Sequence, residues 1–415
     1  MKRFILLLFL VLPFLSFGQD TLNGMFYNLY RFPTSPPANR EYLLKSIIDS
    51  VRPDLLMACE LVNEQGADRV VDISFGDMPD SFSRAAFVSS PDSADPLQQM
   101  VFYNTRKLIL VRQEALLTFV RHINHYTFVL HTPDIASDSV FLDVFVTHLK
   151  SSAGAVNEHL RLEMVDTFVK TLQHIPPNHH ILFAGDFNFY TSGEPGYQKI
   201  LDSANAVLMV DPLNQPGNWN NNPQFSGIHT QATRISAAGF GIGGASGGMD
   251  DRFDFIMMSE NSRTDPECHY IPGSYKAFGN NGDCFNKRID DLNSYGPYSL
   301  SIRQILYNMS DHAPVIMKLK TDKKFVTAIK EKSKPPAPLQ FPEGNQAHRY
   351  LSVQLGRDIK NDHLLLYDIS GKLLKSIPLH PQTRNLHIDV STLAVGWYFL
   401  KLARRPGSAA GFIKR

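Results

Sequence analysis

Ile181-Leu182-Phe183-Ala184-Gly185-Asp186-Phe187-Asn188-Phe189-Tyr190 is the stretch around which the chain is arranged. It begins as a short apolar run, the pattern of a buried strand. Gly185 then lets the backbone turn, and Asp186 and Asn188 follow at the strand end. Two residues apart on extended backbone, they point to the same face. An anion and an amide thus meet one ligand at the mouth of a sheet. That pair suits a phosphate held near a hard cation, because carboxylates bind such metals and amides donate to phosphoryl oxygens. An Asx turn closing an αβ unit uses the same residues, so the rest of the chain decides.

Upstream, residues 140–147 alternate as a strand does and deliver His148, Leu149, Lys150 and Ser151. The spacing predicts a helix over 155–173, carrying Arg161, that leads back into the quoted strand. Earlier still, a strand over 22–29 ends with Asn28, and Leu44, Ile47, Ile48 and Val51 share one face of a helix over 41–51. Arg52-Pro53 breaks that helix. Residues 54–60 then form an apolar strand closed by Glu60, a position that costs desolvation unless the carboxylate is paired or binds a metal. Short strands are expected over 100–103, 108–111 and 116–120. Downstream, residues 211–248 are rich in Asn, Gly and Pro, contain Trp219 and Arg234, and read as a long functional loop. Asp254 opens the next strand, with Arg252 placed to neutralise a neighbouring carboxylate. After a second irregular stretch over 266–296, Asp311 and His312 stand in tandem before a strand over 315–319. They supply a metal ligand or anion beside a titratable base. Strand and helix alternate from end to end, which argues for an α/β class.

The 415 residues suffice for two domains, and 41 basic against 40 acidic side chains leave a net charge of +1. No global basic field exists to hold nucleic acid, so any such contact needs a local patch. Lys2 and Arg3 precede an apolar run over 4–17, with Ser16 and Gly18 at the −3 and −1 positions of a cut before Gln19. This is the pattern of a secretory signal peptide over 1–18, too short in its apolar core to span a membrane. No later stretch is long and apolar enough to span either. Of three cysteines, Cys268 and Cys284 bracket a Gly/Asn-rich loop and are expected to pair after export, while Cys59 reads as a buried thiol. The lack of paired CxxC motifs argues against a structural zinc site. Residues 323–345 include Lys-Ser-Lys-Pro-Pro-Ala-Pro and read as a semi-rigid linker. Beyond it the pattern turns all-β, with a hairpin at Ser370-Gly371-Lys372, and fits a small sandwich.

Together these pieces resemble the endonuclease/exonuclease/phosphatase superfamily. The matches fall in that family's order: Asn28, Glu60, Thr147-His148-Leu149-Lys150-Ser151, Gly185-Asp186-Phe187-Asn188, Arg252-Phe253-Asp254-Phe255-Ile256 and Ser310-Asp311-His312-Ala313-Pro314. The resemblance covers roughly residues 20–320, within an expected catalytic domain over 19–322. It implies an α/β (α+β) sandwich of two packed β-sheets flanked by helices, with a site where strand ends of both sheets meet. It also implies roles. Glu60 would bind Mg2+, with Mn2+ or Ca2+ as alternatives, assisted by Asn28 and Asp311. His312, oriented by Asp254, would activate water. His148 would stabilise or protonate the leaving side, and Asp186 and Asn188 would align nucleophile and phosphate. Lys150, Trp219 and Arg234 are candidates for substrate contact, with loop packing and solvated charge as the competing reading. One departure stands out: the deoxyribonuclease branch pairs its first catalytic His with a glutamate, and Gln98 and Gln99 occupy that region here.

The tail, over 346–415, resembles the type A sorting domain of the type IX secretion system. The matching residues are Leu366-Tyr367-Asp368-Ile369-Ser370-Gly371-Lys372, Val390-Ser391-Thr392-Leu393, Gly396-Trp397-Tyr398-Phe399-Leu400 and the basic end Phe412-Ile413-Lys414-Arg415. It implies an immunoglobulin-like sandwich read by secretion machinery. The combined expectation is an exported, monomeric, metal-dependent phosphodiester hydrolase, foremost a nuclease. A phospholipid phosphodiesterase resembling sphingomyelinases keeps the chemistry and changes the substrate, but no exposed aromatic cluster is evident in the sequence. A binding module on a decayed enzyme fold would show broken site residues, and every principal one is present.

Overall fold

The computed structural model describes residues 20–78, 81–89, 96–237, 243–326, 339–342, 344–356, 362–380, 383–405 and 408–415. The expected signal peptide over 1–18, and residues 327–338 of the expected linker, lie outside the described residues. In chain order the first part runs β1 (Asp20–Phe32), α1 (Arg40–Val51), β2 (Leu55–Leu61), α2 (Glu64–Arg69), β3 (Phe82–Arg84), β4 (Gln98–Asn104), β5 (Leu108–Leu116), β6 (Ile123–Leu130), β7 (Phe141–His148), α3 (Ala155–Leu172) and β8 (His180–Asp186). Then come α4 (Pro195–Ile200), β9 (Met209–Val210), β10 (Asp254–Ser259), β11 (His269–Tyr270), β12 (Lys276–Ala277), α5 (Leu300–Met309) and β13 (Val315–Thr321).

These strands form two sheets. One has the order β11-β13-β1-β2-β4-β3, with β12 also on β13; the other has the order β5-β6-β7-β8-β10-β9. The period-2 alternation of side chains sorts the core into layers. Phe26, Met57, Val101, Val144, Leu182, Ala184, Ile256 and Met317 point inward and pack between the sheets. Their neighbours point outward. Met25, Tyr27, Leu56 and Ala58 meet α1 and α5, and Phe145, Phe183 and Met257 meet α3. Strands covered on both faces must be apolar throughout, which is why β2 and β8 read as unbroken apolar runs.

The tail contributes β14 (Leu339–Gln340), β15 (Gln346–Ala347), β16 (Tyr350–Leu355), β17 (Asp362–Asp368), β18 (Leu373–Leu379), β19 (Asn385–Asp389), β20 (Gly396–Leu402) and β21 (Ala410–Lys414). They make a sheet β14-β16-β19 and a sheet β15-β21-β20-β17-β18 around their own core of Leu351, Val353, Leu364, Leu400 and Phe412. The tail also packs on the body: Phe399 and Ala409 join the cluster under α1. Lys401 Nζ also sits 5.5 Å from the Tyr42 ring centroid.

Four expectations change. The strand expected over 116–120 does not form, because β5 ends at Leu116 and turns toward β6. α5 went unread between the irregular stretch and Asp311; Ser299 caps it, its hydroxyl accepting from Ile302 N at 3.5 Å. The body does not stop at 322: Phe325 is buried in the inter-sheet core, and its N–H reaches Asp20 Oδ2 at 2.8 Å. Finally, Cys268 and Cys284 are free and buried in different clusters, Cys268 between the sheets and Cys284 beneath α5.

The outer aromatic layer pins α3 to its sheet. Phe183 stacks on Phe168 with centroids 3.8 Å apart and lies 4.8 Å from Phe187. Phe183→Ala is therefore expected to destabilise the body by about 3–5 kcal/mol, the usual range for emptying a buried aromatic site. Urea unfolding followed by circular dichroism checks this, and an unchanged midpoint would show that the layer does not hold the fold.

Candidate active site

Strand direction brings the charged residues to one edge. β1 runs parallel to β2 and ends its regular pairing at Asn28, opposite Cys59, next to Glu60. β7 runs parallel to β8, so His148 lies opposite Asp186. β10 runs antiparallel to β8, so its first residue, Asp254, also lies opposite Asp186. The segment before β13 adds Asp311 and His312. Thus all six sequence matches converge where the two sheets open.

Two local features differ from the expected backbone. Gly185 makes no turn; it sits inside β8, where an added Cβ would lie 2.5 Å from Thr147. The glycine is needed for close approach of β7. Asn188 lies beyond the strand in the left-handed region (φ 53°), and its N–H reaches Asp186 Oδ1 at 3.2 Å. Asp186 and Asn188 therefore meet through an Asx turn and not through strand periodicity. Glu60 is also left-handed (φ 60°), at a bulge in the β2 pairing. Such a conformation stores strain of order 1–3 kcal/mol, and it turns the carboxylate into the site.

His312 Nδ1 lies 2.7 Å from Asp254 Oδ2, while its Nε2 faces Asp186 Oδ2 at 3.6 Å. His148 Nε2 approaches the same Asp186 oxygen from the other side at 3.5 Å. Asn28 Nδ2 donates to Glu60 Oε1 at 3.0 Å and Asp186 Oδ2 at 3.1 Å, and its oxygen accepts from Tyr30 N at 2.9 Å. Asn28 therefore ties two carboxylates together here and does not aim its oxygen between them, as a metal ligand would. Asp311 Oδ2 accepts from Ala245 N at 2.7 Å, and its Oδ1 is buried without a hydrogen-bond partner among the described residues.

Electrostatics follow from burial and crowding. Burial, with the Asp311 charge beside it, raises the Glu60 carboxyl. Asp186 is pushed up to about 7 by burial, with Asp254 and Glu60 adding to the push against His312 and Asn28. Burial alone would lower His312, but the Asp254 and Asp186 carboxylates outweigh it and hold the ring well above the usual imidazole range. His148 goes the opposite way: burial, then Arg121, pushes it well below that range. Its Nδ1 has no hydrogen-bond partner among the described residues, and it lies 4.0 Å from Glu60 Oε1. Gln99 does not serve it, since its amide donates to His122 O at 2.6 Å.

The three substrate candidates fare differently. Lys150 lies near enough to His148 to act on it electrostatically, and its Nζ donates to Ser151 O at 3.0 Å. Trp219 is corrected: it is fully buried, 5.5 Å from Phe255 between centroids, with its indole N–H on Gln215 O. Arg234 is corrected too. It is buried beside Asp311, between the rings of Tyr30 and Tyr307, and donates to Tyr307 O at 3.0 Å. Sequence reasoning missed Gln231, whose amide sits 2.6 Å from His312 Nε2. It also missed Thr230, whose hydroxyl accepts from Phe253 N and Asp254 N at 3.2 Å. Neither belongs to a charged motif, so no signal in the sequence marked them.

Glu60, His148 and Asp186 bring ligand atoms within 4.8 Å of one another. With the orphan oxygen of Asp311 nearby, this oxygen-rich set fits a hard divalent cation.

Residues 345–411 match the family model described as the secretion system C-terminal sorting domain. That tail implies export by type IX secretion machinery, and no helix among the described residues is long and apolar enough to cross a membrane. No curated protein matches the chain. Among solved structures, the chain is similar to D. rerio TDP2 complexed with single-strand DNA product, at 15% identity over 73% of this chain and 100% of that one, TM-score 0.47. It is also similar to an endonuclease/exonuclease/phosphatase family protein from Bacteroides thetaiotaomicron, at 14% identity over 74% and 100%, TM-score 0.46. A third is the mannosyl-6-phosphatase of Bacteroides thetaiotaomicron VPI-5482, at 13% identity over 72% and 99%, TM-score 0.44.

The raised Asp186 fixes a pH dependence. Between the unfolded carboxyl value, about 4, and its folded value of about 7, the folded metal-free protein holds more protons than the unfolded chain. Stability therefore falls as pH rises through that window. His312 adds to the fall above it, since its raised value confers stability below about 6.5 that is lost as the folded group deprotonates. The lowered His148 works in the opposite sense, so the contribution of Asp186 is read as the difference between melting curves of chelator-treated wild type and Asp186→Asn: wild type should lose stability relative to the variant as pH rises from about 4 to 7. A difference that does not change across this window would contradict the assigned crowding.

Proposed function

We propose that the chain is an exported, divalent-metal-dependent phosphodiester hydrolase, foremost an extracellular nuclease. The observation that carries the reading is the meeting of Glu60, Asp186, Asp254 and Asp311 with His148 and His312 at one buried edge. Glu60 and Asp311 would hold Mg2+, which supplies neutralisation of the charge on the phosphoryl oxygens. Asn28 orients Glu60. Asp254 holds His312 Nδ1, so Nε2 faces the site and takes the proton of the attacking water. In the ligand-free protein the Asp254 and Asp186 carboxylates shift His312 toward its protonated form. Its action as a base requires that proton to leave, so the rate should rise with pH until His312 is deprotonated. His148, kept neutral, donates a hydrogen bond on the leaving side without acting as a strong acid. Asn188 and Asp186 align phosphate and nucleophile, and Lys150 supplies local positive charge.

One observation favours the phospholipid reading as a second choice. Leu117 is 74% exposed and Phe119 59% exposed on the turn from β5 to β6. Arg121, at the same turn, donates to Leu149 O beside His148 at 3.4 Å. An exposed Leu–Phe tip next to the site is suited to enter a lipid surface.

The test is a product profile of purified protein on DNA, RNA and sphingomyelin, with Mg2+ and with chelator. Glu60→Gln should cost orders of magnitude, partly restored by excess Mg2+. His312→Ala should lose about 10²–10⁴-fold, the typical general-base contribution, with no response to metal. Near wild-type turnover of a folded His312→Ala protein would refute the mechanism.

Export and catalysis are assigned to separate parts: a cleaved leader over 1–18, the catalytic body, and the tail as sorting signal that places the protein outside the cell or on its surface. Because Phe325 belongs to the body core, truncation is best made after Val326. The truncated protein should keep its turnover and fail to leave the native host. A folded but inactive truncation would overturn this independence.

A further inference from the structure

We propose a second metal site, at the end of β8 opposite the candidate active site, in which His180, Asp265 and Glu267 bind a divalent transition ion, zinc by preference. His180 is the first residue of β8 and Asp186 the last. Six strand steps separate them, roughly 20 Å, so the two clusters cannot share an ion.

Ligand atoms of His180, Asp265 and Glu267 lie within 4.8 Å of one another. The decisive member is His180. It is fully buried, and its Nε2 has no hydrogen-bond partner among the described residues. That nitrogen faces Asp265 Oδ2 at 3.9 Å, too far for a hydrogen bond. A buried polar atom left unmade costs about 1–3 kcal/mol, so it calls for a partner.

The other ring nitrogen shows which partner suits. Nδ1 lies 3.1 Å from Ser262 Oγ. Ser262 Oγ lies 3.3 Å from Ser259 Oγ, and the Ser259 hydroxyl donates to Asn261 Oδ1 at 2.6 Å. Each hydroxyl passes its proton along this chain, so Nδ1 carries the hydrogen that enters it. Nε2 is left with a lone pair directed at the two carboxylates. Burial pushes His180 below the usual imidazole range, which keeps it neutral. This is the arrangement in which an outer hydrogen bond fixes a metal-binding imidazole.

Asp265 is preset as well. Its Oδ1 accepts from Glu267 N at 3.0 Å, and its backbone carbonyl lies 3.0 Å from His269 Nδ1. Both carboxylates are partly exposed, so an ion has a way in. Lys323 Nζ stands 3.7 Å from Glu267 Oε1, but its shorter contact is with Asp138 Oδ2 at 2.6 Å. An ion at Glu267 would leave Lys323 on Asp138. One imidazole and two carboxylates suit zinc, with a fourth position for water. The missing CxxC motifs exclude only cysteine-ligated sites.

The probe is Zn2+ added to chelator-stripped full-length protein, with bound metal measured by equilibrium dialysis and elemental analysis. The double variant Asp265→Asn/Glu267→Gln should bind one fewer Zn2+ per chain than wild type. The same difference should persist in a Glu60→Gln background, which separates it from the active-site ion. Mg2+-supported hydrolysis by the double variant should be unchanged. Ser262→Ala should weaken the Zn2+ affinity of this site about 10- to 100-fold by freeing the imidazole. If the double variant folds poorly, Glu267→Gln alone serves, read as weakened affinity. Equal stoichiometry and affinity in wild type and variants would overturn the proposal, whatever the fate of the hydrolase assignment.

Discussion

Everything at the open edge of the sandwich follows from one electrostatic constraint. Glu60, Asp186, Asp254 and Asp311 are held close together with little water to screen them. Taking even one charge from water costs several kcal/mol unless a counter-charge repays it. The protein supplies part of that repayment: Asn28 bridges Glu60 and Asp186, His312 sits between Asp254 and Asp186, and Arg234 lies against Asp311. What remains uncompensated shows in the raised Glu60 and Asp186 and in the orphan oxygen of Asp311. A fold does not keep such a deficit for stability. The deficit is one that a bound divalent cation would relieve, since it would supply the missing counter-charge.

The core sandwich was legible because it is governed by alternation. β8 is apolar between His180 and Asp186 and β2 is apolar apart from Glu60 next to its end, and each carries a carboxylate whose burial is costly unless it is paired or binds a metal. The order of those strand-end residues carried the resemblance, and the structure brings all of them together. Illegible were features set by non-local packing. α5 lies in a Gly/Asn-rich context whose local signal is weak, yet Ile305 and Leu306 are buried against α1. Cys268 and Cys284 are near in sequence and serve opposite faces of one sheet. The left-handed Glu60 has no sequence mark, since its strain is imposed by the bulged pairing around it.

The long segment between β9 and β10 reads from its Asn, Gly and Pro content as a functional loop, and it does reach the site through Gln231 and Ala245. Its tryptophan, a candidate for substrate contact, has a different place. In the fold, Trp219 is an anchor. Asp211, just after β9, receives a bidentate pair from Arg252 at 2.8 Å, and the Arg252 guanidinium lies 5.1 Å from the Trp219 ring centroid. His229 is fixed by Trp219 O at 2.9 Å. The buried end of the segment is thereby locked to the sheet.

That lock has a consequence for the chemistry. Residues 229–231 follow directly from the anchored part, and their backbone bonds to Asp251 at 2.7 and 3.0 Å. Thr230 then braces the start of β10, and Gln231 is brought to His312 Nε2. His312 is consequently held from both sides: Asp254 on one nitrogen through β10, Gln231 at the other through the anchored segment. Both supports depend on Thr230 and on Arg252–Asp211, none of which needs to touch substrate. Residues of this kind look like ordinary loop chemistry in a sequence, because their effect is exerted through the position of another side chain. Their contribution is geometric, and geometry at the reacting atoms is where small displacements cost the most rate.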